Sequence, residues 1–184
     1  DQRELALQFG VMPELARCLG KGSDGARACA AQALGALCTR PEVAGKVLHC
    51  GGVQSLCELL RTGSPQGQQE ALGCLLAVLS AALPRQLEEV CSLVEGAGGH
   101  HDVLRMVPGE DTRADAVGCV AVLTGRPRGA EAVARAGGVV PVVALLRDPK
   151  AAGDDVTSSA SACVHNMARA SPEAARLVVA AGAV

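Results

Sequence analysis

Aromatic side chains are almost missing: there is no Trp, no Tyr and a single Phe, Phe9. A globular core usually draws much of its buried area from aromatics. Burial must therefore rest on Leu, Val, Ala and Cys, which suits closely spaced helices stacked in layers. A surplus of either charge is also missing, with 17 basic against 19 acidic side chains. No basic stripe interleaved with aromatics is present, so nucleic acid is not an expected partner. No apolar run approaches the ~20 residues that span a bilayer, and no secretory leader pattern is visible. The expectation is an intracellular, cytoplasmic protein, with a nuclear, cytoskeletal or ciliary setting as variants.

Nine cysteines occur, at 18, 29, 38, 50, 57, 74, 91, 119 and 163, an odd number without any Cys-x-x-Cys pair. Most fall on apolar positions of helical patterns. That favours reduced core thiols over a disulfide framework or a zinc site.

Glycine is abundant, and it recurs in one phrase: a Gly, a small residue, then an apolar helix opening. The phrase reads Gly10-Val11-Met12, Gly51-Gly52-Val53, Gly98-Gly99-His100, Gly137-Gly138-Val139 and Gly182-Ala183-Val184, at spacings of 41, 47, 39 and 45. A chain that restarts itself at such intervals is a solenoid rather than a pocketed globule. After each of the first four glycines, the residues at the second, fifth, eighth and ninth positions lie on one helical face, Met12, Leu15, Cys18 and Leu19 in the first copy, and all are apolar except His100 in the third. These short helices are expected to close at Gly20, Gly63, Gly109 and Asp148-Pro149.

A longer helix follows in each copy. Its apolar residues stand at i, i+4 and i+7: Ala30, Leu34 and Leu37; Leu72, Leu76 and Leu79; Ala116, Val120 and Leu123; Ala160, Val164 and Met167. Next come Pro41, Pro84, Pro127 and Pro172, each opening a further short helix at a position where a missing N–H costs nothing. Glu42, Glu131 and Glu173 lie near those starts, where negative charge suits the helix dipole. Asp1 to Phe9 reads as the same short helix.

Three helices per repeat, with a glycine turn between the first and second, resembles the armadillo repeat. The phrases Gly10-Val11-Met12-Pro13-Glu14-Leu15, Ala33-Leu34-Gly35-Ala36-Leu37 and Ala180-Ala181-Gly182-Ala183-Val184 carry the likeness. HEAT repeats share the size range but usually have two helices. The resemblance implies an all-α, right-handed α-solenoid. Its repeats cover roughly 1–40, 41–83, 84–126 and 127–171, with a partial fifth over 172–184. Val178, Val179 and Val184 end the chain in mid-pattern without a polar cap, which suggests a piece of a longer array.

Catalytic chemistry finds little purchase. His100-His101-Asp102 replaces an apolar opening, and adjacent histidines on a helix do not share a face. His49-Cys50 is a lone pair of neighbours, and Glu110-Asp111 and Asp154-Asp155 read as helix N-terminal acids. Gly96-Ala97-Gly98-Gly99 follows no strand and is an inter-helix turn rather than a phosphate loop. Neither enzyme activity, nor a cofactor, nor a metal is expected.

The family resemblance implies a concave groove lined by the long third helices. Import adaptors of this family carry a Trp and, four residues on, an Asn on successive third helices. The Asn positions are read here as Ala36, Val78, Val122 and Asn166, and the Trp positions as Gln32, Cys74, Gly118 and Ala162. Only Asn166 matches. Arg27 and Arg113 stand at equivalent places on the groove's edge and are candidates for engaging acidic side chains. Solvated arginines and a covered row are the alternatives. The expected function is a non-enzymatic scaffold or adaptor that holds a helix or extended segment of another protein. The other readings are an import-adaptor-like carrier and the regulatory or targeting array of a larger protein.

Overall fold

The computed structural model describes residues 10–182. The short helix expected over Asp1 to Phe9, and the final Ala183 and Val184, lie outside them. Among the described residues all regular structure is helical. The helices are α1 (Val11–Lys21), α2 (Asp24–Leu37), α3 (Pro41–His49), α4 (Gly52–Thr62), α5 (Pro65–Ala81), α6 (Pro84–Gly96) and α7 (Gly99–Met106). They continue as α8 (Arg113–Thr124), α9 (Pro127–Arg135), α10 (Val139–Arg147), α11 (Pro149–Ala152), α12 (Asp154–Ala170) and α13 (Pro172–Ala180). The expected succession of short, middle and long helix is present, with one addition. The single turn α11 is inserted between α10 and α12, entered through the Asp148 cap on Ala151 N–H and left through Gly153.

The recurring phrase has a backbone cause. All five leading glycines sit at positive φ, from 68° at Gly10 to 84° at Gly137, where a Cβ would press on its own backbone. The second glycine serves a different need. A Cβ on Gly52 would lie 2.8 Å from the Val47 carbonyl oxygen, and one on Gly138 would lie 2.9 Å from that of Val133. The first glycine reverses the chain, and the second lets the new helix start against the last turn of the old one. Pro41, Pro84, Pro127 and Pro172 do open helices. The close of α1 differs from expectation: Gly20 lies inside the helix, and Gly22 is the C-cap, its N–H donating to Cys18 O.

Two compact units divide the chain, one ending at Gly99 and the other beginning at His100. In the first, α2 and α5 are the most intimate pair. Leu19, Leu34, Leu56, Leu60, Leu72 and Leu75 are fully buried there, each such side chain contributing about 1.5–3 kcal/mol through water exclusion. In the second, α12 packs on α8, α9, α10 and α13, around Val103, Val120, Leu123, Val133, Val142 and Met167.

Five of the nine cysteines are buried (Cys38, Cys57, Cys74, Cys119 and Cys163), and all nine are free thiols. Burial pushes the Cys38 and Cys163 thiols up to about 11, so they behave as small apolar side chains rather than nucleophiles. Cys29 and Cys50 are exposed, unlike the core thiols expected from the pattern.

An arginine clasp joins successive repeats inside each unit. Arg61, at the end of α4, donates to the carbonyl of Ala97, the C-cap of α6. Arg147, at the end of α10, donates to Ala181 O, the C-cap of α13, at 2.8 Å. Both guanidiniums satisfy orphan carbonyls beside a left-handed glycine, Gly98 or Gly182. In Arg147→Ala the amides of α13 are expected to exchange with solvent about fivefold faster, as the loss of one charge-assisted bond implies. Amide exchange measured by mass spectrometry checks this; unchanged protection there would show the clasp to be idle.

Candidate protein-binding surface

The long helices α2, α5, α8 and α12 share one burial pattern. In α5 the inward residues are Ala71, Leu72, Cys74, Leu75, Val78 and Leu79. The same six rungs in α8 are Ala116, Val117, Cys119, Val120, Leu123 and Thr124. In α2 they include Ala30, Ala31, Leu34 and Cys38, and in α12 Ala160, Cys163 and Met167. Superposing these rungs fixes which residues face outward at each level. Equivalent outward places are Gln32 and Gly73 in the first unit and Gly118 and Ala162 in the second; one turn on, they are Ala36 and Ala77 in the first and Val122 and Asn166 in the second.

This corrects the second repeat by one residue. Cys74 and Val78, placed in the groove by the sequence reading, are 2% and 0% exposed. Burial drives the Cys74 thiol above its ordinary value. Neither can line a surface. Their outward neighbours Gly73 and Ala77, half-buried, take the two places. Gln32, Ala36 and Ala162 are exposed, and Gly118, Val122 and Asn166 are half-buried.

The slip arose because Ala71 to Leu79 is apolar throughout, so periodicity alone cannot phase it. The N-caps could have done so. Ser23 caps α2 by accepting from Ala26 N–H, and Ser64 caps α5 by accepting from Gly67 N–H. Aligning the two serines gives the observed register.

In the unit ending at Gly99, the outward face joins Gln32 and Ala36 of α2 to Gly73 and Ala77 of α5. Gln32 Nε2 donates to Glu70 Oε1 at 3.1 Å across the two helices. At the N-terminal ends, both carboxylate oxygens of Asp24 accept the Ser64 backbone N–H, at 3.2 and 3.3 Å. The Ser64 hydroxyl and that N–H hold the Asp24 carboxyl below its usual value. The polar groups of this face are thus engaged with one another, and what remains is small and smooth.

Arg27 and Arg113, proposed from sequence as edge residues for acidic partners, have a structural task instead. Arg27 Nε donates to Leu19 O at 3.2 Å. Arg113 donates to Pro108 O and Ala151 O, each at 3.2 Å. Both brace the turn between the middle and long helices by satisfying carbonyls at its start.

In the unit beginning at His100, the outward face joins Gly118 and Val122 of α8 to Ala162 and Asn166 of α12. At the C-terminal ends of these helices lies a cleft of about 210 Å³, lined by Arg126, His165, Asn166 and Arg169 among others. Of these only Asn166 stands out in sequence, because Arg126 belongs to the start of α9 while His165 and Arg169 belong to the end of α12, and only the fold brings them together. His100 and Asp102, the polar opening of α7, are buried, and Asp102 pairs with Arg105 at 2.8 Å. No group of side chains able to hold a metal is found among the described residues. No single described helix is long and apolar enough to cross a membrane.

Residues 40–76 match the model of the armadillo/beta-catenin-like repeat. A computationally designed armadillo repeat protein for modular peptide recognition superposes on the entire chain. It does so at TM-score 0.84 and 21% identity, and 75% of its own length is covered. Residues 40–76 are thus similar to an armadillo repeat, and the fold is that of an armadillo solenoid. A second designed armadillo repeat protein, in complex with the peptide (KR)4, matches over 99% of the chain and 74% of its own, at TM-score 0.80 and 22% identity. An engineered protein matches over 93% of the chain and 68% of its own, at TM-score 0.78 and 23% identity. No curated protein matches in sequence. The armadillo likeness accounts for the all-α solenoid class and for the glycine turn between first and second helices.

Proposed function

We propose that this armadillo chain is a non-enzymatic scaffold or adaptor. It holds a helix or extended segment of another protein against the outward faces of its long helices. The observation that carries the reading is the corrected register itself. Within each unit, Gly73 and Ala77 in the first and Gly118, Val122 and Ala162 in the second leave a low, mildly apolar floor on which another backbone can lie. Helices packed into repeats are already ordered, so docking costs little further entropy. The designed relatives of the same fold, one solved with a bound peptide, support a peptide as the class of ligand. Unpaired thiols throughout the chain go with an intracellular setting.

A carrier of the import-adaptor kind is less well supported. Its aromatic rungs are Gln32, Gly73, Gly118 and Ala162 here, so no pair of indole faces exists to sandwich a cationic side chain.

Selection of binders from a random peptide display library tests the proposal. Recovered peptides are expected to lose tenfold or more in affinity, about 1.4 kcal/mol, against Ala77→Glu or Ala162→Glu, with helicity unchanged. Binders indifferent to both substitutions would place recognition elsewhere on the chain.

A further inference from the structure

We infer that the cleft at the C-terminal ends of α8 and α12 receives a carboxylate, so that the bound segment is acidic. The inference rests on the scaffold reading and adds the chemistry of the partner. The cleft brings together the guanidiniums of Arg126 and Arg169, the imidazole of His165 and the amide of Asn166. Its lining contains no acidic side chain. His165 and Arg169 are exposed, and Asn166 is half-buried within the outward row. Arg169 makes no hydrogen bond or ion pair with another described residue. Glu173, the acid nearest to it in sequence, lies in the first turn of α13 without pairing to it.

The acids of these two helices stand at their opposite ends. Asp115 is in the first turn of α8, and Asp154 and Asp155 are in the first turn of α12. Asp155 is thereby separated from Arg169 by about 20 Å along the helix axis, at 1.5 Å per residue. The acids thus stand at one edge, together with an Arg113 already tied to the Pro108 and Ala151 carbonyls, while His165 and Arg169 stand at the other. Basic residues in a last turn also suit the helix dipole, but that role does not require a cleft between two helices.

The chain carries a formal net charge of −2, so its total charge does not draw in an acidic peptide. Attraction must come from a local site. A guanidinium offers a planar fork of donors that fits a carboxylate in bidentate fashion. Asn166, one rung away, can contribute a donor and an acceptor to the peptide's backbone. A cleft of about 210 Å³ has the volume of several waters, enough for one carboxylate side chain. The designed neighbour solved with (KR)4 presents a direct contrast, since a basic peptide would meet like charge in this cleft.

The test uses the full chain and three labelled octapeptides, (DE)4, (KR)4 and the uncharged (QS)4, with binding followed by fluorescence anisotropy at about 0.15 M salt, where long-range attraction is screened. The (DE)4 peptide is expected to bind at least tenfold more tightly than the other two. Arg169→Glu should weaken it tenfold or more, and His165→Glu should do likewise. Arg176→Glu, on an exposed position of α13, should leave it within twofold. Equal affinity for (DE)4 and (KR)4, or indifference of (DE)4 to Arg169→Glu, overturns the inference. Display-selected peptides that lack acids yet lose affinity to Ala162→Glu would overturn the acidic partner while leaving the surface standing. Peptides indifferent to every substitution on this face would remove both.

Discussion

Val78→Asp is expected to unfold the unit that ends at Gly99, while Ala77→Asp, one residue earlier, leaves it folded. Val78 is 0% exposed, and an aspartate there would have to be buried as an unpaired charge or as an acid without partners. That belongs to the small set of changes costing more than about 4 kcal/mol. Ala77 points outward, and its replacement costs little beyond helix propensity, about 0.7 kcal/mol. Because stability in a repeat chain is a sum over neighbouring repeats, the damage should be read locally as well as globally. Circular dichroism melts give the overall loss, and amide exchange across α2 to α5 gives its place. Similar melts for the two variants would refute the register assigned to α5. The experiment also separates two meanings of lost binding, since Val78→Asp would abolish capture by unfolding and Ala77→Asp by occupying the surface.

The second large effect is expected at Gly35. A Cβ built there would stand 3.2 Å from Cys74 Cα and 3.6 Å from Cys74 N. Those are backbone atoms of a buried helix, so no side-chain rotation relieves the contact. Gly35→Val would push α2 and α5 apart and open gaps around Leu34 and Leu75, at a cost of about 3 kcal/mol. The corresponding rungs in the other long helices are Leu76, Ala121 and His165, so the requirement for glycine belongs to this helix pair alone. Thermal and chemical denaturation check the cost. A Gly35→Val chain as stable as the parent would mean that α2 and α5 can separate freely.

The sequence announced the repeat through its glycines and prolines because each imposes a backbone constraint that does not depend on the partner helix. Gly51 and Gly137 had to be at positive φ, and Pro41 and Pro127 had to open helices, whatever packed against them. The long helices were equally visible from Leu34, Leu72 and Leu123. Their phase was legible only where polar residues mark the outer face. In α2, Gln32 marks it; in α5, from Ala71 to Leu79, nothing does. The functional candidates failed or held for the same reason. Arg27 and Arg113 looked alike in sequence as solvated edge charges, and only the positions of Leu19 O and Pro108 O show them to be braces. The cleft of Arg126, His165 and Arg169 needed two helix ends and a linker to converge, and no spacing rule contains that.

The left-handed glycines have a consequence at the level of the gene. A single-base change in a glycine codon yields Ala, Val, Ser, Cys, Arg, Asp, Glu or Trp, and among these only Asp visits positive φ with any ease. Asparagine, the other tolerated residue, lies two base changes away. Gly10, Gly51, Gly98, Gly137 and Gly182 are therefore addresses at which nearly every point mutation is paid for in backbone strain. Missense variation in this chain should be scarcest at those five codons, and a variant found at one of them deserves suspicion before any surface change.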